Sequence, residues 1–126
     1  MLNRIFKSGL IGFFALVMIT AFTSCQKEKE TIGIIIVKDS NGTLVPNADV
    51  ILSPEQVHNS GGELPDPSLT KGPKQTDSNG RVEFTYDLEA ILNVEVTYLD
   101  GNITYTGVDI IRLQKGKTIT EEVEIN

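Results

Sequence analysis

The sequence predicts a single all-β domain, an antiparallel β-sandwich of six or seven short strands, behind an N-terminal export segment. Three observations predict it. From Thr31 onward apolar and polar residues alternate with a period of two, the mark of strands whose successive side chains face opposite sides. Turn sequences rich in Asp, Asn and Gly recur between the alternating stretches, and no stretch carries a helical period. A chain of 126 residues holds one such domain.

The first element is the export segment, residues 1–24. Arg4 and Lys7 give it a positive start, Leu10 to Phe22 run without a charge, and the small residues Thr23 and Ser24 lead to Cys25. The apolar run of about 13 residues is short of the roughly 20 that a helix needs to cross a bilayer core. A cleaved signal is therefore expected, and an uncleaved signal anchor with an incidental thiol is the competing reading. Gln26 to Glu30 then form a short polar tether of alternating charge.

Strands are expected next at Ile32 to Val37, a β-branched run suited to cover on both faces, and around Ala48, Val50 and Leu52. The turn Asp39-Ser40-Asn41-Gly42 divides them, because Asn and Gly tolerate positive φ and Asp can bond its own backbone two residues on. Residues 54–75 lose the alternation. That irregular insertion holds four of the five prolines, together with Gly61, Gly62 and Gly72. The turn Asp77-Ser78-Asn79-Gly80 restarts the pattern, with Val82, Phe84 and Tyr86 on one face. Further strands are expected at Ile91 to Leu99, Ile103 to Leu113 and Thr118 to Ile125. The expected inward set is Ile34, Ile36, Ala48, Val50, Leu52, Val82, Phe84, Val94, Val96, Val108, Ile110, Val123 and Ile125.

Two resemblances sharpen this reading. The apolar run ending in Phe22-Thr23-Ser24-Cys25 resembles the lipobox of bacterial lipoproteins, in a loose form typical of Bacteroidetes. The resemblance implies cleavage before Cys25, acylation of that residue, and attachment to the membrane through its lipid, since several acyl chains together hold a protein durably. Gln26, in place of the Asp that retains lipoproteins in the inner membrane, implies the outer membrane, with the domain facing the periplasm or the cell surface. The Gln-Lys-Glu-Lys-Glu run is similar to surface-export signals of Bacteroidetes lipoproteins; a plain solvated spacer is the other reading. The second resemblance lies in the order of Asp39-Ser40-Asn41-Gly42, Pro46-Asn47-Ala48-Asp49-Val50-Ile51-Leu52 and Thr76-Asp77-Ser78-Asn79-Gly80-Arg81-Val82-Glu83-Phe84. Over residues 31–125 this is similar to the carboxypeptidase regulatory-like domain, which implies a transthyretin-like or immunoglobulin-like sandwich. No activity comes with that resemblance, because function resides in sites and not in folds.

Composition narrows the function further. Cleavage before Cys25 would leave 102 residues that hold nine of the eleven basic residues and all seventeen acids, a formal charge of −8. Such a domain is repelled by nucleic acid, so no nucleic-acid partner is expected. One Cys and one His exclude a disulfide framework and a Cys/His zinc cage. His58, the only imidazole, lies in the irregular insertion without a recognisable catalytic companion, so no enzyme activity and no catalytic residue is expected. Asp39 and Asp77 are the nameable calcium candidates, but neither turn has the spacing of an EF-hand loop and hairpin turns explain both; no metal or cofactor is expected.

The function expected is that of a non-catalytic, lipid-anchored envelope protein, an interaction or structural module with Cys25 as its one assigned site. The insertion at 54–75 is its expected contact surface. The alternative is a surface lipoprotein that binds a glycan or a peptide. Against glycan, the chain has no Trp, Tyr86 and Tyr98 alternate with expected core residues, and Tyr105 alone makes a poor platform. A third route is addition of a partner strand to Thr118 to Ile125, opposed by Glu121, Glu122 and Glu124.

Overall fold

The computed structural model describes residues 27–55 and 66–126. They form seven strands, β1 (Thr31–Asp39), β2 (Asp49–Pro54), β3 (Lys71–Gln75), β4 (Arg81–Tyr86), β5 (Ala90–Asp100), β6 (Ile103–Leu113) and β7 (Thr118–Ile125). A short 3-10 turn, Pro67–Leu69, precedes β3; Asp66 caps it by accepting the N–H of Ser68 at 2.9 Å. The strands divide into a three-stranded sheet, β4-β1-β7, and a four-stranded sheet, β3-β2-β5-β6. The all-β sandwich read from the alternation is what the chain adopts. Every pairing is antiparallel except one: β1 runs parallel to β7, with Ile32 opposite Thr118 and Asp39 opposite Ile125.

Apolar side chains on alternate positions explain the two-layer packing. Val50 and Leu52 of β2, Leu92, Val94 and Val96 of β5, and Ile111 and Leu113 of β6 meet Ile35 and Val37 of β1, Val82, Phe84 and Tyr86 of β4, and Val123 and Ile125 of β7. Gly33 on β1 faces inward as well. A Cβ there would lie 2.9 Å from Leu113 Cδ2, so its missing side chain makes room for the β6 residues.

The expected inward set needs correction at four positions. Val108 is 79% exposed and Ile110 42% exposed, while Gly107, Ile111 and Leu113 face the core. The phase of β6 is thus shifted by one residue, which exchanges its faces. The reason is steric: a Cβ at position 107 would lie 2.5 Å from the Glu124 carbonyl oxygen of β7, so only Gly107 admits the close approach of that strand. On β1 the same one-residue shift applies. Ile35 and Val37 enter the core cluster, whereas Ile36 is half-buried and Ile34 is buried on the opposite face. The irregular insertion is corrected too, since Lys71–Gln75 is a strand at the edge of the larger sheet. Its sequence Lys-Gly-Pro-Lys-Gln shows no alternation because nearly every position is exposed, and the pairing with β2 is irregular at Gly72, which takes φ +107° where a Cβ would lie 2.5 Å from the Val50 carbonyl oxygen.

Strand direction gives the sandwich two distinct poles. The tether enters at Thr31, and the turn at 114–117 and the join of β4 to β5 lie at the same end, because Thr31 pairs with Tyr86 and Ile32 with Thr118. The Gly116 N–H donates to Thr31 Oγ1 at 2.9 Å, holding that turn to the start of β1. The Asp39, Asp77 and Asp100 turns occupy the far pole, about 26 Å away at 3.3 Å per strand residue. There the sheets join, as Thr106 and Asn126 exchange backbone hydrogen bonds of 3.2 and 3.1 Å.

Candidate binding cleft

The far pole is built from two turns of identical design. Asp39 Oδ1 accepts the N–H groups of Asn41 and Thr43 at 2.8 and 2.9 Å, and Asp77 Oδ1 accepts those of Asn79 and Arg81 at 2.8 and 3.0 Å. Gly42 and Gly80 close them with φ of +79° and +66°. The two candidate calcium residues therefore act as turn-forming carboxylates. Each directs an oxygen into its own backbone.

A third hairpin brings the tyrosines together. Asp100-Gly101-Asn102 joins β5 to β6 in a register that sets Tyr98 opposite Tyr105. Their ring centroids lie 6.3 Å apart at a tilt of 33°, within the range of favourable aromatic contact. Both rings rest partly on the core. With Asp39, Asn41, Asp100 and Asn126 they line a cleft of about 370 Å³, into which Thr43 and Pro46 also project. Among the described residues, no Lys, Arg or His side chain lines it. The cleft thus offers a tilted aromatic floor and a rim of carboxylate, amide and hydroxyl groups. That chemistry suits a ligand that presents an apolar face and hydrogen-bond donors, and it disfavours an anion.

Tyr98 and Tyr105 are what the sequence reading missed. It set Tyr98 among core residues and left Tyr105 alone; counting outward from Gly101 would have paired them across the hairpin. Tyr86, by contrast, is buried in the core and donates to the Leu69 carbonyl at 3.0 Å. Burial pushes its phenol up to about 12.

Two further clefts are formed by described residues. One, of about 450 Å³, runs between the edges of β3 and β4, where Lys74 Nζ donates to the Glu83 carbonyl at 2.7 Å and Lys71 Nζ to the Thr85 carbonyl. These lysines also lie over the Phe84 and Tyr86 rings, 5.7 and 4.5 Å from the centroids, so they close a seam of the sandwich. The other, about 440 Å³, is formed by the tether Lys27 to Glu30 with Ile32, Gly116 and Thr118.

Of the remaining predicted features, Cys25, His58 and the signal segment lie outside the described residues. Of the 54–75 insertion, residues 54–55 and 66–75 are described, and residues 56–65 lie outside the described residues. β7 is an edge strand, as the strand-addition reading requires, but its end bonds to Thr106, and Lys38 pairs with Glu122 at 2.8 Å.

No protein-family model matches the chain, and no curated protein matches it. Among solved structures, the chain is similar to a Pseudomonas aeruginosa crystal structure described as a "putative carbohydrate binding protein". The identity is 13%, the alignment covers 82% of this chain and 93% of that one, and the TM-score is 0.47.

Proposed function

We propose that the protein is a non-catalytic, lipid-anchored envelope module that holds a ligand in the far-pole cleft, with a glycan as the ligand class. In this reading the signal is cleaved before Cys25, the lipid on Cys25 fixes the protein to the outer membrane, and the carboxypeptidase regulatory-like sandwich carries the cleft away from it. The lipobox-like Phe22-Thr23-Ser24-Cys25 and the polar tether support the anchor. The observation that carries the ligand reading is the Tyr98–Tyr105 pair, which supplies the aromatic floor that either tyrosine alone lacks. Sugar rings lay their C–H faces on such floors, and the rim side chains of Asp39, Asn41 and Asp100 accept or donate bonds to hydroxyls.

The test is a calorimetric and thermal-shift titration of the full chain in detergent with neutral, acidic and amine-bearing oligosaccharides and with extended peptides. A glycan that binds raises the melting temperature, because a ligand of the native state alone stabilises it. Replacing both tyrosines, Tyr98→Ala with Tyr105→Ala, abolishes that rise. Binding by peptides alone moves the function to peptide capture; binding that survives the double variant removes the cleft from it. Changing Cys25→Ala tests the anchor separately: the protein leaves the membrane fraction, and retention there at unchanged size overturns acylation.

A further inference from the structure

We infer that the tether pole is itself a membrane-contact surface, formed by exposed Leu88 and Ile91 with the cations Arg112, Lys115 and Lys117, and that the bilayer is its occupant. Leu88 is 62% exposed and Ile91 51% exposed; Leu99 and Ile103 are exposed to a similar degree at the far pole, so what distinguishes the tether pole is the set of cations beside its apolar pair. The register brings the cations to them: Ala90 pairs with Leu113 and Ile91 with Arg112, so Lys115 and Lys117 follow in the turn just beyond. Apolar side chains beside Lys and Arg form the combination that seats a soluble surface at a lipid interface, one part entering the headgroup boundary and the other meeting anionic lipid.

The course of the chain says what covers this surface. The described chain begins at this pole with Lys27, and the sequence before it contains the charge-free run Leu10 to Phe22 and, only two residues before Lys27, Cys25. Two residues of chain span at most about 7 Å. A lipid on Cys25 therefore holds Leu88 and Ile91 against the membrane; an uncleaved apolar segment would do the same. The inference thus shares the membrane attachment of the proposed function, but not its dependence on acylation.

Charge distribution turns the molecule the same way. Among the described residues of the tether pole, the cations Lys27, Lys29, Lys71, Arg112, Lys115 and Lys117 are balanced by the acids Glu28, Glu30, Glu55, Asp66, Asp87 and Glu89. The far half carries the excess of acid, with Asp39, Asp49, Asp77 and Asp100 opposed chiefly by Lys38 and Arg81. An anionic surface repels the far pole and accepts the near one. Docking consequently points the tyrosine cleft outward.

The test uses the full acylated chain in vesicles of phosphatidylethanolamine and phosphatidylglycerol that carry nitroxides on their acyl chains. A fluorophore is attached at Glu89→Cys or, on the far pole, at Asn102→Cys. Quenching is expected at position 89 and not at 102, and Leu88→Asp with Ile91→Asp lowers it at 89 to the level seen at 102, with an unchanged thermal transition. Lys115→Glu and Lys117→Glu weaken the docked state about fivefold per charge at low salt. Equal signals at 89 and 102, or quenching at 89 that ignores the Leu88 and Ile91 changes, overturn the inference. The chain without an added cysteine is the control. If it takes up label, Cys25 is free and acylation is wrong; the comparison is then run in Cys25→Ser, where the apolar segment provides the attachment and the same outcomes decide the docking.

Discussion

Thr76 sits 3% exposed in the turn region of the far pole and does two things with one hydroxyl. Its Oγ1 accepts the Ala48 N–H at 3.0 Å and donates to the Val45 carbonyl at 2.7 Å, fixing the chain through Asn47, which holds φ +58°. Thr76→Val keeps the shape and leaves both buried groups unpaired. A loss of about 2 kcal/mol is expected, because unpaired buried groups cost their desolvation. For a domain of this size that lowers the melting temperature by about 10 °C in a thermal scan. Tyr86 makes a second prediction, in pH. Its folded phenol is raised to about 12 from 10.0 by burial, so the folded state prefers the neutral form. The associated stability is fully present below pH 10 and is lost as pH rises toward 12. In alkaline titrations Tyr86→Phe therefore flattens the fall in melting temperature over that window; an unchanged slope assigns the fall to other groups. Neither contact could be read from the sequence, because both join residues that are near only after folding: Thr76 and Val45 are 31 positions apart, Tyr86 and Leu69 are 17.

Most strands were legible as elements because each alternates by itself and ends in a turn whose chemistry is local. β4 and β5 illustrate it, with Val82 and Phe84, then Val94 and Val96, all inward as the period predicts. β3 was not legible. It is Lys-Gly-Pro-Lys-Gln, exposed at nearly every position, and it is a strand only because β2 offers it a partner and Gly72 fits against Val50. Pro73 suits its place at a sheet edge, where a missing N–H costs no ladder bond. Since Lys71 and Lys74 reach across to the carbonyls of Thr85 and Glu83, replacing both by Ser is expected to speed amide exchange in β3 and β4 and to leave β5 protected. Equal acceleration in β5 would mean that the lysines support the whole fold and not this seam. The phase of β6 failed for a related reason. Val108 and Ile110 look like core residues beside Gly107, and only the approach of β7 makes the glycine side the inner one. Gly107→Val is expected to cost about 3 kcal/mol by overpacking against Glu124 and Val123, measured by denaturant unfolding.

At the scale of the whole molecule, the arrangement is polar: tether and basic turn at one end, acidic turns and the tyrosine cleft at the other. The open stretch of the β6 edge lies between them. There Asp109 Oδ1 accepts the Ile110 N–H at 2.8 Å, occupying a donor that a neighbouring strand would otherwise use. Asp109→Thr is therefore expected to promote self-association, seen as a rise in sedimentation coefficient with concentration; a variant that stays monomeric shows that other edge residues suffice. Neither the edge nor the cleft was visible as such in the sequence. The Tyr98–Tyr105 pair could have been counted from the Gly101 turn, but Asp39 and Asn126 come to it from other strands, one through the parallel β1–β7 pairing and the other through the bonds to Thr106. The sequence by itself determined the all-β class, the turns, most of the core and the acidic charge, because a period of two, Asx turns and charge counts are properties of neighbouring residues. Only the tertiary structure decided the inner faces of β1 and β6, the existence of β3 and the cleft between tyrosines and turns, because each depends on which distant backbone or side chain fills the space opposite.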